Sequence, residues 1–218
     1  MHDLLRVLSD NRSLFLDRFV TTVKLFGIGG IGCLLFGTLL AAMRVSPIPA
    51  LRAFGAVYVN IIRNTPLTLL FAFMVFAVPK LNVNISFFQS ACVALLAYTS
   101  AFVCEVVRSG INTVSPGQGE AARAVGMTFT QVLILVVLPQ AFRSVVPPLM
   151  SVLNALLKNT TVATGFSVLE AGSIQDQLAE NGEGRVPTLL WITIGFLVLV
   201  LPLVAAQRAL ERRWRGNR

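Results

Sequence analysis

The sequence predicts an all-α membrane protein with five transmembrane helices, an external N-terminus, a cytoplasmic C-terminus and a short cytoplasmic helix between the third and fourth spans. Composition carries the first part. Of 218 residues, 55% are apolar and 13% charged, too little charged surface to wrap a water-soluble domain of this size. At about 20 residues per helical span, the spans fill the chain and leave no room for a sizeable domain outside the bilayer. The second observation is placement: the formal charge of +8 comes from basic residues that sit at the ends of apolar segments, where they report topology.

The chain reads as one membrane domain over residues 1–218. Residues 1–18 mix Asp and Arg with no basic leader, apolar run and small-residue cleavage site in order, so no cleaved signal is expected. The first span is about Phe19 to Met43, uncharged after Lys24 and carrying Gly27, Gly29, Gly30, Gly32 and Gly37, which let helices approach closely. The second, about Phe54 to Val78, is expected to cross fully although Arg63-Asn64-Thr65-Pro66 interrupts it. The third runs from Ile85 to about Val107 and is uncharged as far as Cys104. The fourth, about Val145 to Leu169, is interrupted by Pro147-Pro148 and by Lys158-Asn159-Thr160-Thr161; the fifth, about Val186 to Gln207, is free of charge.

Arg44 and Arg52 fall between spans one and two, Arg108, Arg123 and Arg143 between three and four, and Arg208, Arg212, Arg213, Arg215 and Arg218 after five. These connections share one side, which the positive-inside rule makes cytoplasmic. The opposite side receives Lys80 and an acidic stretch with Glu170, Asp176, Glu180 and Glu183. Arg6, Arg12 and Arg18 also fall there, offset by Asp3, Asp10 and Asp17. Topology thus accounts for the positive charge, and no nucleic-acid partner is expected. Cys33, Cys92 and Cys104 lie within apolar runs without metal-type spacing and read as small buried side chains. No internal repeat is present, and an odd number of spans cannot be divided into two equal inverted halves. Dimerisation would bury the polar interruptions that lipid does not tolerate.

The loop from about 115 to 141 has the most to say. Ser115, Pro116 and Gln118 stand at N-cap, N1 and N3, the pattern of a capping box. Gly126 supplies a left-handed stop two to three turns on. Thr128 and Gln131 repeat the cap pattern, and the apolar run Val132 to Leu138 is expected to end at Pro139, giving two short helices with a bend. The first helix shows Ala121, Ala122, Ala124 and Val125 flanked by Glu120 and Arg123. Side chains this small let another protein approach the backbone, whereas a connector lying on lipid would show large apolar anchors. So short a helix is marginal alone and needs a partner to hold it.

Gln118-Gly119-Glu120-Ala121-Ala122-Arg123-Ala124-Val125-Gly126, followed by Leu138-Pro139-Gln140-Ala141, resembles the "EAA" loop of bacterial ABC importer permeases. Arg63-Asn64-Thr65-Pro66, Glu105-Val106-Val107-Arg108-Ser109-Gly110 and Leu157-Lys158-Asn159-Thr160-Thr161-Val162 agree with the polar amino-acid (histidine/glutamate/glutamine/arginine/opine) branch, in that family's order over roughly residues 60–165. The resemblance implies a multi-pass permease subunit of the bacterial inner membrane, part of an ATP-driven amino-acid importer. Its implied partners are a second identical or homologous permease, a cytoplasmic ATPase dimer that holds the ATP and Mg, and an external solute-binding protein. It also implies that the helix holding Gly119, Glu120, Ala121, Ala122, Arg123 and Gly126 is the coupling helix, seated in a groove of the ATPase.

Polar residues within spans mark candidate functional positions. Lys158, Asn159, Thr160 and Thr161 are costly in an apolar segment unless they face protein or water, and Asn154 lies one turn before Lys158. In related permeases this region lines the translocation route. Thr99 and Ser100 could face the same cavity or satisfy their hydroxyls on their own backbone. Many relatives carry an acidic residue where Asn159 stands, so its absence weakly favours acidic or neutral permeants of glutamate or glutamine type. Arg63 either snorkels to the inner interface or serves, with the Pro66 kink, as a gate or subunit contact. Glu105 and Arg108 are most simply an i,i+3 ion pair.

The single histidine, His2, is in the terminal segment, and neither a metal-type Cys/His set nor a GxxxxGK loop appears. No cofactor, metal or catalytic residue is therefore expected on this chain. An autonomous channel or ion-coupled carrier is the alternative reading.

Overall fold

The computed structural model describes residues 2–215; Arg218, assigned above to the inner basic group, lies outside them. The described residues are mostly helical, with no strand among them, and the α-helices run in the order α1 (His2–Asp10), α2 (Arg12–Val45), α3 (Pro49–Arg63), α4 (Leu67–Ala72), α5 (Phe87–Asn112), α6 (Pro116–Ala124), α7 (Phe129–Gln131), α8 (Leu138–Asn159), α9 (Ile174–Glu180) and α10 (Arg185–Arg215). Four helices are long and apolar enough to cross a bilayer, within Arg12–Val45, Phe87–Asn112, Val132–Phe166 and Arg185–Arg213, and the α3–α4 pair makes a fifth if it counts as one span.

The expected kink at Pro66 is sharp: Pro49–Arg63 and Leu67–Leu81 meet at 102°. Pro66 has no N–H and cannot continue α3. The carbonyls it leaves open are taken locally: Asn64 Nδ2 donates to Asn60 O at 2.7 Å, Thr65 Oγ1 to Ile61 O at 2.8 Å and Thr65 N to Ile62 O at 3.2 Å. A sharp turn is tolerable in an apolar setting because its backbone acceptors are met.

The expected stop at Pro139 is not found. Phe129 to Asn159 runs as one rod in which a π-helical segment, Val132–Val137, joins α7 to α8. Leu138 N donates to Leu133 O, five residues back, so the turn before Pro139 is widened and its ring is accommodated. The same device follows α4, where Phe73–Ala77 is π-helical and Val78 N reaches Phe73 O just before Pro79. Pro147 and Pro148 likewise lie inside α8 without ending it.

The most extensive helix contact is α2 on α5, and α8 packs against α5 and also touches α2. Leu25, Cys33, Phe71, Leu95, Val103 and Leu156 are buried where α2, α4, α5 and α8 meet. A second cluster, Leu40, Ala41, Val59, Ala101 and Cys104, joins the far ends of α2 and α5 to α3. All three cysteines are buried and unpaired, as small packing residues. At the opposite end a cap packs Val7 of α1, Phe15 of α2, Ile174 and Leu178 of α9, and Ile192 of α10. Trp191 Nε1 donates to Leu4 O at 2.7 Å and pins α1 to α10.

Glu170 organises this cap. Thr22 Oγ1 donates to Oε2 at 2.9 Å, Gly172 N to Oε1 at 2.7 Å, and the Thr164 hydroxyl also donates to Oε1. Counted with the solvated acidic stretch in sequence, Glu170 is in fact fully buried. Burial pushes its carboxyl above the ordinary glutamate value, outweighing the hydroxyl and amide donors that pull it down.

Candidate functional site

Three features converge on α5 and α8: an exposed short helix, a cavity and an ion cluster. Ser115 caps α6 in extended conformation with Pro116 at the first position. Its hydroxyl makes no cap bond, so the expected capping box does not form; Gln118 N donates to Ser115 O at 3.0 Å instead. The stop is as expected. Gly126 has φ +89, Gly126 N donates to Arg123 O at 2.9 Å and Met127 N to Ala122 O at 3.1 Å. The expected second cap also forms, with Thr128 N donating to Gln131 Oε1 at 2.8 Å and Gln131 N to Thr128 Oγ1 at 3.4 Å.

The helix does not present all its alanines outward. Ala122 is only 8% exposed, on the face turned toward Val132 of the π-helical segment, and Gly119 lies on that face too. Glu120, Ala121, Arg123, Ala124 and Val125 form the exposed surface. Gly119 and Ala122 therefore let α6 lie on its own chain, and Ala121 and Ala124 leave a shallow outer face.

A cavity of about 400 Å³ opens between α5 and α8, lined by Tyr98, Thr99, Phe102, Ser151, Val152, Ala155, Leu156 and Asn159. The i,i+4 run of 151, 155 and 159 puts one stripe of α8 on it. Thr99 is 3% exposed and its Oγ1 has no hydrogen-bond partner. Ser and Thr in helices commonly bond their own backbone, and a buried hydroxyl left unpaired beside a cavity is a polar group still in want of a partner.

Of the polar positions singled out in sequence, Thr99 and Asn159 face this cavity. Ser100 instead donates to Ala97 O at 2.9 Å and lies 3.2 Å from the Tyr58 hydroxyl. Thr160 and Thr161 bond Leu157 O and Lys158 O at 2.7 and 2.8 Å, while Lys158 is exposed. Asn154 is buried toward α10, its Nδ2 donating to Gln207 Oε1 at 3.4 Å. Tyr98, Phe102 and Ser151 were missed, although Phe102 is three residues after Thr99 and Ser151 eight before Asn159, helical spacings readable in the chain.

The expected Glu105–Arg108 pair is present as one part of a larger ion cluster. Glu105 is hydrogen-bonded first by Arg44 of α2, then approached by Arg63 at 3.5 Å and Arg108 at 3.8 Å. The guanidinium carbon of Arg63 stands 5.6 Å from the Phe102 ring centroid. The end of α3 at the bend is thus tied to α5, and through Glu105 to Arg44 of α2.

Residues 34–216 match the family of binding-protein-dependent transport system inner membrane components. The chain belongs to this family. It is 39% identical over 202 residues to the glutamate transport system permease protein GluC of Corynebacterium efficiens, covering 86% of this chain and 88% of the relative. It is also 34% identical to the probable glutamine ABC transporter permease protein GlnM of Bacillus subtilis, over 95% and 96% of the two chains. Among solved structures, an amino acid ABC transporter with histidines superposes with a TM-score of 0.88 at 26% identity, over 95% of this chain and 97% of that one. The inward-facing MetNI methionine ABC transporter shares the fold, with a TM-score of 0.70 at 22% identity. This binding-protein-dependent permease is accordingly a multi-pass inner-membrane component of an ABC transport system.

Proposed function

We propose that the chain is the transmembrane subunit of an ATP-driven importer for a polar amino acid of glutamate or glutamine type, a class supported by the names of its relatives. Its N-terminus faces the outside and its C-terminus the cytoplasm, so α6 is cytoplasmic and the Glu170 cap external. ATP and Mg bind the partner ATPase dimer, not this chain. A second permease, identical or homologous, completes the path, and an external binding protein delivers the permeant.

One observation carries the mechanism: α6 is bonded to both walls of the cavity. Its start, Pro116, follows the end of α5 at Asn112 by a few residues, and Phe129 begins the unbroken rod that becomes α8. Ala122 and Val132 seat α6 against that rod. A push on the outer face of α6 therefore moves α5 and α8, and with them Thr99 and Asn159, without needing any nucleotide chemistry on this chain. Lys158, Thr160, Thr161, Asn154 and Ser100 lie close in sequence to the lining residues without lining the cavity themselves, and Arg63, before the bend at Pro66, lies against Phe102 of its wall.

The test is reconstitution of the permease with its ATPase and binding protein in liposomes. An A121R substitution, on the exposed face, is expected to abolish ATPase association while membrane insertion is retained. Uptake by the permease alone, driven by an ion gradient and indifferent to the ATPase, would instead establish the autonomous carrier.

A further inference from the structure

The cavity between α5 and α8 offers rings, hydroxyls and an amide, but no charged side chain lines it. Just beyond Phe102 on α5 stands Glu105 with Arg44, Arg63 and Arg108 around it, three cations to one carboxylate. We propose that Arg63 is a specificity-determining residue, which takes the side-chain carboxylate of an acidic permeant as it leaves the cavity and exchanges it for Glu105. The proposal rests on the import reading above and names the permeant class.

Three observations carry it. First, Arg63 stacks over Phe102, whose ring is part of the cavity wall, so the guanidinium lies within one ring of a bound permeant. Stacking leaves the edge of the planar fork open, and that edge binds carboxylates. Second, the cluster is short of anion. Arg44 is 12% exposed and hydrogen-bonded to Glu105, whereas Arg63 and Arg108 are 43% and 40% exposed and stand off at 3.5 and 3.8 Å. Half-exposed cations at the inner flank of a membrane protein are held at a cost that a further anion relieves. Third, exchange is inexpensive for Glu105: when Arg63 turns to the permeant, Arg44 and Arg108 still face the carboxylate, so no buried charge is stranded. Arg44 is thereby the fixed member of the cluster and Arg63 the exchangeable one.

The experiment measures glutamate and glutamine binding to the purified permease–ATPase complex by thermal stabilisation, alongside uptake by the full importer. In R63Q the Kd for glutamate is expected to rise at least tenfold and that for glutamine less than threefold; R63K, which keeps the charge, is expected to keep glutamate within about threefold of wild type. Equal losses for both amino acids would make Arg63 a structural latch and overturn the proposal. So would a wild-type complex that imports yet binds neither, which leaves the import reading standing. Discrimination that vanishes when anionic lipid is supplied would assign the arginines to lipid phosphate and overturn it as well. A reconstituted importer that moves neither amino acid with ATP would sink the import reading itself.

Discussion

The seam between α2 and α5 is closed by glycines, and a methyl group added to each tests how tightly. A Cβ at Gly37 would stand 2.6 Å from both Cβ and Cγ1 of Val103 and 2.8 Å from the backbone oxygen of Ser100. Carbon contacts are comfortable at about 3.5–4.0 Å, so the shortfall is about 1 Å. No rotamer change moves a Cβ or a carbonyl, so the two helices must part. Overpacking of this kind costs about 3 kcal/mol at its upper range, and roughly 1 kcal/mol returns from the better helix propensity of alanine. G37A is therefore expected to destabilise by about 2 kcal/mol, close to a 30-fold change in the unfolding equilibrium. The assay is reversible unfolding in mixed micelles. At Gly32 the collision is with the outer atoms of the Leu96 side chain, whose Cβ is 3.8 Å away, and at Gly27 nothing lies within 4 Å. L96A should thus relieve G32A almost completely in a double-mutant cycle, while V103A relieves G37A only in part, because Val103 Cβ and Ser100 O remain. G27A should be neutral. Wild-type stability in G37A, or full relief by V103A, refutes the close approach of α2 and α5.

Further outcomes follow from the site. Gly126 has φ +89, so G126A is expected to cost about 1 kcal/mol locally and to weaken ATPase association measured by pull-down. R44Q strips Glu105 of its hydrogen-bonded cation and is expected to lower stability far more than R108Q, whose group stands at 3.8 Å; denaturation midpoints in detergent compare the two. Because the folded pKa of Glu170 is raised, the folded protein binds more protons than the unfolded chain between the ordinary glutamate value and the raised one. Stability should therefore fall as pH rises through that window, and E170Q should flatten the slope in thermal melts across acidic to neutral pH.

Local requirements were more legible in the chain than long-range ones, although the capping box read at Ser115 and Gln118 does not form. The stop at Gly126 and the Thr128–Gln131 cap depend on residues within one turn, and both stand where the sequence puts them. Pro66 reads as a kink, but a 102° turn becomes tolerable only because Asn64 and Thr65 take the open carbonyls. Pro139 reads as a stop; the widened turn before it depends on a shift in hydrogen-bond register that apolar patterning does not encode. Sequence spacing shows Arg108 three residues from Glu105 and hides Arg44, which is 61 residues away and holds it. Glu170 looks like one more solvated acid until Thr22, 148 residues earlier, is placed against it.

The same contrast explains why the cavity was only half visible. Thr99 and Asn159 could be named because polar groups in an apolar segment demand a reason, whereas Tyr98, Phe102 and Ser151 raise no such demand and enter through helix register alone. Register also fixes what the cavity can do. On α5 the stripe that begins with Tyr98 and Phe102 continues to Glu105, so the rings that line the cavity and the carboxylate that gathers the arginines share one face of one helix. That helix leads directly into α6. Any motion imposed on α6 must therefore move the cavity wall and the ion cluster together, and the contact free to rearrange between them is the 3.5 Å approach of Arg63, anchored on the far side of the α3–α4 bend.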